Sequence, residues 1–235
     1  MTDSKTAPWS GWDRAGALCG AAYIVMINVG NTIQTGGSSD AHPSGAADLA
    51  GFGVHPSLAQ SIGFVLEFTG MLSFLVFLGW FAWFLRSRGG PAPWLGSVAG
   101  LAGGVTIAVK LASVMPMGAG DLDHAVLTQA LARVLVDMNG TAFVVTLLPF
   151  GVFLLVAGLA ILSSRALGRI AGWTAVVIGA AGVVLTLATG VDPVSTNVLP
   201  FILGMLWVLV VSVRLAVRAP RSVPDAEPVD RLVTA

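Results

Sequence analysis

The chain has 235 residues, of which 55% are hydrophobic and only 10% are charged. Soluble domains carry roughly 25% charged residues, so this composition excludes a cytosolic enzyme and a disordered chain. The 12 basic and 12 acidic side chains cancel, which leaves no net field to attract nucleic acid. The single cysteine, Cys19, excludes an internal disulfide framework. The composition predicts an integral membrane protein whose main partner is the lipid bilayer.

Six continuously apolar segments are long enough to cross a bilayer, which takes about 20 helical residues. They lie at 15–33, 58–85, 94–115, 141–162, 170–189 and 197–217. We therefore expect an all-α, polytopic bundle of six transmembrane helices at 15–217. Residues 1–14 are expected to be a cytoplasmic segment and residues 218–235 a disordered cytoplasmic tail.

The basic residues indicate the orientation of this bundle. Ten of them fall on one side of the six-span arrangement: Lys5, Arg14, Arg86, Arg88, Arg165, Arg169, Arg214, Arg218, Arg221 and Arg231. Arg133 lies on the opposite side, and Lys110 lies inside a span. Because cytoplasmic loops carry the excess of Lys and Arg, both termini are predicted to be cytoplasmic.

The outer segment 121–138 is predicted to form an amphipathic helix that runs into the fourth span at Gly140. Its apolar residues recur at helical spacing: Leu127, Leu131, Val134, Leu135 and Met138. Arg133 and Asp137 are placed for an i,i+4 ion pair on its polar side. We expect this helix to lie on the outer surface or to cap the bundle.

Spans 2–3 and 4–5 align as two copies of one hairpin. Gly96, Ala99, Gly103, Leu111 and Ala112 of the first match Gly172, Ala175, Gly179, Leu187 and Ala188 of the second. A duplicated unit, as in some transporters, and a chance alignment of Gly/Ala-rich helices both explain this match.

Small residues recur every four positions along the third span, at Gly96, Gly100, Gly104, Ala108 and Ala112. Such a stripe lets two helix backbones approach closely inside a membrane. The partner is either another helix of the same chain or a second copy, so a homo-oligomer through Gly96, Gly100 and Gly104 is an open alternative.

Two charged residues, Glu67 and Lys110, lie within the spans and away from the basic ends that set the orientation. A charge at the bilayer centre costs about 2.5–3.5 kcal/mol on insertion scales, so such residues are rare and usually paired. Glu67 lies nine residues, about 14 Å, into the second span from the outer end. Lys110 lies about 9 Å below the outer end of the third. We predict that the two form an ion pair.

Further polar residues lie near the pair. Thr106 and Ser113 flank Lys110 at i−4 and i+3, and Gln60 shares the Glu67 side of the second span. Asn28 and Asn31 lie near the outer end of the first span. Together they predict an outward-facing polar site for a small ligand or ion, used in transport or ligand sensing. Glu67 would respond to a proton or cation, Lys110 would be its counter-charge, and the two asparagines a neutral hydrogen-bonding wall. The alternative is a structural or accessory membrane subunit in which the pair only fixes helix packing.

The histidines and nearby carboxylates of the outer side are weak candidates for a metal site: His42, His55, His124, Asp121 and Asp123. We expect neither a metal nor any other cofactor, because no ligand spacing is specific. No hydrolase, zincin or phosphate-loop motif is present in the sequence, which favours a non-enzymatic protein. An enzyme acting on a lipid or carrier is the third possibility.

Two stretches are similar to a family of small bacterial six-span membrane proteins of unknown function. They are the entry to the first span, Arg14-Ala15-Gly16-Ala17-Leu18, and the stretch 154–173, LLVAGLAILSSRALGRIAGW. In the second, Gly168 stands where the family pattern has proline. The resemblance covers about half of the chain. It implies six spans in a bacterial plasma (inner) membrane and no known activity.

Overall fold

The computed structural model describes residues 11–35, 49–50, 57–190 and 198–217. Its helices, in chain order, are α1 (Gly11–Thr35), α2 (Leu58–Ser87), α3 (Trp94–Ala112), α4 (Met115–Leu122), a 3-10 turn (His124–Val126), α5 (Gln129–Ser164), α6 (Arg169–Thr189) and α7 (Leu199–Val217). Among the described residues, six helices are long and apolar enough to cross a membrane, with α3 and α4 counted together. The predicted helical bundle is confirmed, and the chain is a multi-pass membrane protein. The tail at 218–235 and most of the segment at 1–14 lie outside the described residues.

The long helices form a closed ring. Each contacts its neighbour along the chain, from α1 through α2, α3, α5 and α6 to α7, and α7 packs back against α1. α5 also contacts α2 and α7 across the ring. As a result, one end of the bundle gathers the carboxyl ends of α1 and α3 and the amino ends of α2, α5 and α7. Arg86, Arg165 and Arg214 lie towards the opposite end, here called the arginine end.

The predicted outer helix at 121–138 differs from the observed structure in its first half. Residues 115–122 form α4, a 3-10 turn follows, and α5 begins only at Gln129. The break occurs because Thr128 is extended and caps α5, accepting a hydrogen bond from the backbone N–H of Leu131. From there α5 continues through Gly140 without interruption, as predicted. The expected Arg133–Asp137 ion pair is present at 3.1 Å.

α5 is 36 residues long, about 54 Å, whereas a membrane core is roughly 30 Å thick. The helix is therefore longer than a core of that thickness requires. On the predicted apolar face at its start, Leu131, Val134 and Met138 are about half exposed, and the buried residue of this stretch is Ala132.

α1 and α2 approach so closely that their backbones touch at Gly30 and Gly63. A Cβ atom added to Gly30 would lie 2.6 Å from the carbonyl oxygen of Gly63, and one added to Gly63 would lie 2.8 Å from that of Gly30. Real Cβ atoms do not make such contacts, so both positions require glycine. This contact sets the distance between α1 and α2 next to the polar site.

Three of the small residues that align in each hairpin are buried in the bundle. Gly96, Ala99 and Gly103 are buried in α3, and Gly172, Ala175 and Gly179 are buried in α6. The four-residue stripe behaves differently, because a helix has 3.6 residues per turn and the stripe rotates away from the buried face. Gly96 and Gly100 contact α2, Gly104 faces open space, and Ala108 and Ala112 are exposed. Only Gly104, Ala108 and Ala112 are therefore accessible for packing against a second copy of the chain.

The core between the polar site and the arginine end is aromatic. Phe74, Phe77, Phe81 and Phe84 of α2 are at most 1% exposed, and each ring stacks on the next at 5.1–6.2 Å between centroids. Phe153 meets Phe74 edge-on from α5. Such pairs are favourable beyond the area they bury, by about 0.5–1.5 kcal/mol each. We call these four rings of α2 the aromatic column.

Candidate functional site

The two charged residues of the spans meet at the end of the bundle opposite the arginine end. Nζ of Lys110 in α3 lies 3.0 Å from Oε1 of Glu67 in α2, so the predicted ion pair is present. The side chain of Glu67 is 9% exposed, and that of Lys110 is 26% exposed. Lys110 lies in the last turn of α3, where the helix dipole favours a positive charge. The pair is therefore buried on the acid side and partly open on the lysine side.

A third residue, Gln34, holds the other carboxylate oxygen. Nε2 of Gln34 donates a hydrogen bond to Oε2 of Glu67 at 2.8 Å, across the α1–α2 contact. The glycine contact makes this possible, because Gly63 packs directly against Gln34 and Gly30 against the backbone of Glu67. Both oxygens of Glu67 thus have a partner, as a buried carboxylate requires.

A cavity of about 190 Å³ opens beside the ion pair. Its polar lining comprises Glu67, Lys110, Asn28, Asn31, Thr106 and Thr146. Asn28 and Asn31 are exposed and the two threonines are buried, so the cavity runs from the surface into the bundle. Asn28 donates to the carbonyl of Ile24, and each threonine donates to the carbonyl four residues before it. A space this large and this polar has room for several water molecules.

Two predicted site residues do not line the cavity. Gln60 lies two helical turns before Glu67 and takes part in the amino-terminal cap of α2, where its Oε1 accepts a hydrogen bond from the N–H of Ser57 at 2.9 Å. Ser113 is buried, and its hydroxyl donates to the carbonyl of Lys110 at 2.6 Å. Ser113 therefore stabilises the backbone that carries Lys110, and Gln60 caps α2 instead of lining the cavity.

The other wall of the cavity is apolar and was not predicted. It is formed by Tyr23, Ile27, Met71, Ile107, Phe143, Phe201 and Met205. The phenyl rings of Phe143 and Phe201 meet edge-on with centroids 5.7 Å apart. Tyr23, the one tyrosine of the sequence, stacks on Phe74 at 4.3 Å and so forms the floor of the cavity above the aromatic column. Apolar residues of a span carry no local signal that separates a cavity wall from a lipid-facing surface.

The weak metal candidates do not assemble in the part of the chain that the structure describes. Within those residues, no three His, Cys, Asp or Glu side chains lie close enough together to hold an ion. Asp121 and Asp123 are exposed near the 3-10 turn that contains His124. His42 and His55 lie outside the described residues.

The cavity thus joins one acidic group, one basic group and several amides and hydroxyls to an apolar wall. Five helices contribute to it, α1, α2, α3, α5 and α7. Comparisons of the chain with protein-family models, with curated proteins and with solved structures find no match.

Proposed function

We propose that this membrane protein binds a small polar solute or ion in the cavity at Glu67 and Lys110, in transport or in ligand sensing. One observation carries the proposal: the cavity reaches the ion pair instead of ending at a sealed contact. A pair that served only helix packing would be better shielded on both sides, because water weakens exposed ion pairs to about 0–1 kcal/mol.

We further propose that the site faces the outside of the cell, with both termini in the cytoplasm of a bacterium. The charge distribution supports this orientation, since Arg86, Arg165 and Arg214 lie away from the cavity. Glu67 would then be the group that responds to the ligand, and Asn28 and Asn31 would line its path.

We also propose membership in the family of small six-span bacterial membrane proteins. Support comes from the stretch 154–173, where α5 ends at Ser164 and α6 begins at Arg169 after a short turn. The departure at Gly168 has a structural reason, because this residue has a φ of 85° and proline is restricted to a φ near −65°. The turn here thus has a backbone geometry that a proline would not allow.

The test is complementation of a strain that lacks the protein by the double variant Glu67→Gln/Lys110→Met. Removing both charges together avoids leaving one of them buried without a partner. We expect a variant that inserts and melts as the unchanged protein does but fails to complement. The control is Arg133→Met/Asp137→Asn, which removes the exposed ion pair of α5 and should complement. Normal complementation by the cavity variant would contradict the proposal and favour a structural or accessory subunit.

A second measurement tests access of water to the site. In a Cys19→Ala background, Thr106→Cys places a thiol on the cavity wall and Ser212→Cys places one in the buried core of α7. Both native side chains are at most 2% exposed, so their burial does not distinguish them, whereas Thr106 lines the cavity and Ser212 does not. We expect a small hydrophilic thiol reagent to label the first much faster than the second. Equal rates would contradict a water-filled site.

A further inference from the structure

We infer that the solute is a zwitterion, a small molecule with one ammonium and one carboxylate group beside a compact apolar body. This inference rests on the proposed function and names the class of ligand for the same cavity.

The charges of the cavity point to a ligand with no net charge. The cavity presents one carboxylate and one ammonium, 3.0 Å apart. A ligand with a single charge would be attracted by one of these groups and repelled by the other at nearly the same distance. A zwitterion can lie antiparallel to the pair, with its carboxylate on Lys110 and its ammonium on Glu67. Each of the four charges then has an opposite neighbour, which offsets the cost of burying them.

The hydrogen-bonding capacity of the pair allows such a ligand. An ammonium has three N–H donors, so Nζ of Lys110 can bind Glu67 and a ligand carboxylate together. An ionised carboxylate has about four lone-pair positions, and the contacts from Lys110 and Gln34 use one each. Glu67 can therefore also accept from a ligand ammonium while Gln34 holds it in place.

The apolar wall and the size of the cavity limit the rest of the ligand. The side chains of Met71 and Met205 and the rings of Phe143 and Phe201 lie on this wall. Methionine side chains adapt to branched or irregular apolar groups. The volume of about 190 Å³ is below the roughly 300–1,000 Å³ typical of sites for drug-sized ligands. An α-amino acid with a branched aliphatic side chain has the required ammonium, carboxylate and apolar group, and its size suits the cavity.

The experiment measures binding of radiolabelled L-leucine to the purified full chain in lipid nanodiscs. Isoamylamine and 4-methylvalerate, which carry only the ammonium or only the carboxylate beside a similar apolar body, serve as competitors. We expect saturable binding of L-leucine, with each competitor at least about tenfold weaker, a difference of about 1.4 kcal/mol. Glu67→Gln and Lys110→Met should each weaken L-leucine at least about tenfold, whereas Arg133→Met should leave it unchanged.

The two single variants also test the arrangement of the ligand. Glu67→Gln should weaken isoamylamine more than 4-methylvalerate, and Lys110→Met should do the reverse. Absence of saturable L-leucine binding, or equal competition by a singly charged analogue, would overturn the zwitterion inference. If the double variant nevertheless fails to complement, only the ligand class is wrong; if it complements, the proposed function fails as well.

Discussion

Gln34 donates a hydrogen bond of 2.8 Å to the carboxylate oxygen of Glu67 that Lys110 does not contact. The carboxylate is thereby fixed between two helices, α1 on one side and α3 on the other. This arrangement makes Gln34 a positioning residue for the ion pair, and it can be tested by removing the amide.

Gln34→Ala should lower the free energy of unfolding by about 1.5–3 kcal/mol, the range for hydrogen bonds to charged groups. The measurement is thermal unfolding in detergent, compared with Gln129→Ala, a glutamine at the exposed start of α5. Equal melting temperatures for the two variants would show that the hydrogen bond to Glu67 contributes nothing to stability.

Lys110→Met should destabilise the protein more than the double variant Glu67→Gln/Lys110→Met does. Breaking a fully buried pair from one side costs roughly 3–5 kcal/mol, because one charge stays buried without its partner. Since Lys110 is 26% exposed, water reduces this cost, and we expect about 1–3 kcal/mol. A double-mutant cycle of unfolding free energies measures the coupling, and additive effects would rule it out.

Gly63→Ala should separate α1 from α2 and break the contact between Gln34 and Glu67, because the added methyl group would meet the backbone of Gly30. The matched control is Gly79→Ala in the same helix, where an added Cβ meets nothing within 4 Å. Alanine there should be neutral or stabilise by about 0.5–1 kcal/mol. Melting curves of the two variants, and L-leucine binding for Gly63→Ala, check the prediction. Equal melting temperatures for Gly63→Ala and Gly79→Ala would argue against the close approach of α1 and α2.

Substitutions at two adjacent glycines of α3 test which face of that helix packs against α2. An added methyl group on Gly103 would overlap the buried side chain of Leu78, whereas one on Gly104 points into open space. We expect Gly103→Ala to lower the melting temperature and Gly104→Ala to leave it unchanged or raise it slightly. The opposite order would mean that the four-residue stripe through Gly104 is the packing face, and would support its use by a second copy.

The proposed orientation is tested by labelling single cysteines in intact bacterial cells, again with Cys19→Ala. Asp123→Cys lies in an exposed turn at the cavity end, and Arg169→Cys is exposed at the arginine end. A membrane-impermeant thiol reagent should label the first before permeabilisation and the second only afterwards. The reverse labelling pattern would show that the protein has the opposite orientation in the membrane.

The helices and the ion pair could be predicted because their signals are strong and local. Continuous apolar runs define the spans. Two isolated opposite charges at matching depth are expected to pair, because an unpaired charge inside a membrane is costly. The sequence prediction omits Gln34 because its first span ends at Ile33, whereas α1 continues to Thr35. Once α1 is extended by Gln34 and Thr35, the polar residues Asn28, Asn31 and Gln34 recur every three positions near one face of the helix. The prediction includes Gln60 because it shares the Glu67 side of the second span, whereas in the structure it caps α2 and does not line the cavity.

The stacking of Tyr23 on Phe74 has a consequence for passage through the bundle. Tyr23 lines the cavity, and below it the rings of Phe74, Phe77, Phe81 and Phe84 follow one another towards the arginine end with almost no exposed surface. Within the described residues, the cavity therefore ends at a stack of buried aromatic rings. Under the proposed function, this conformation would bind a solute without conducting it. Translocation under the proposed function would therefore require displacement of Phe74 and Phe77, which lie directly below the cavity.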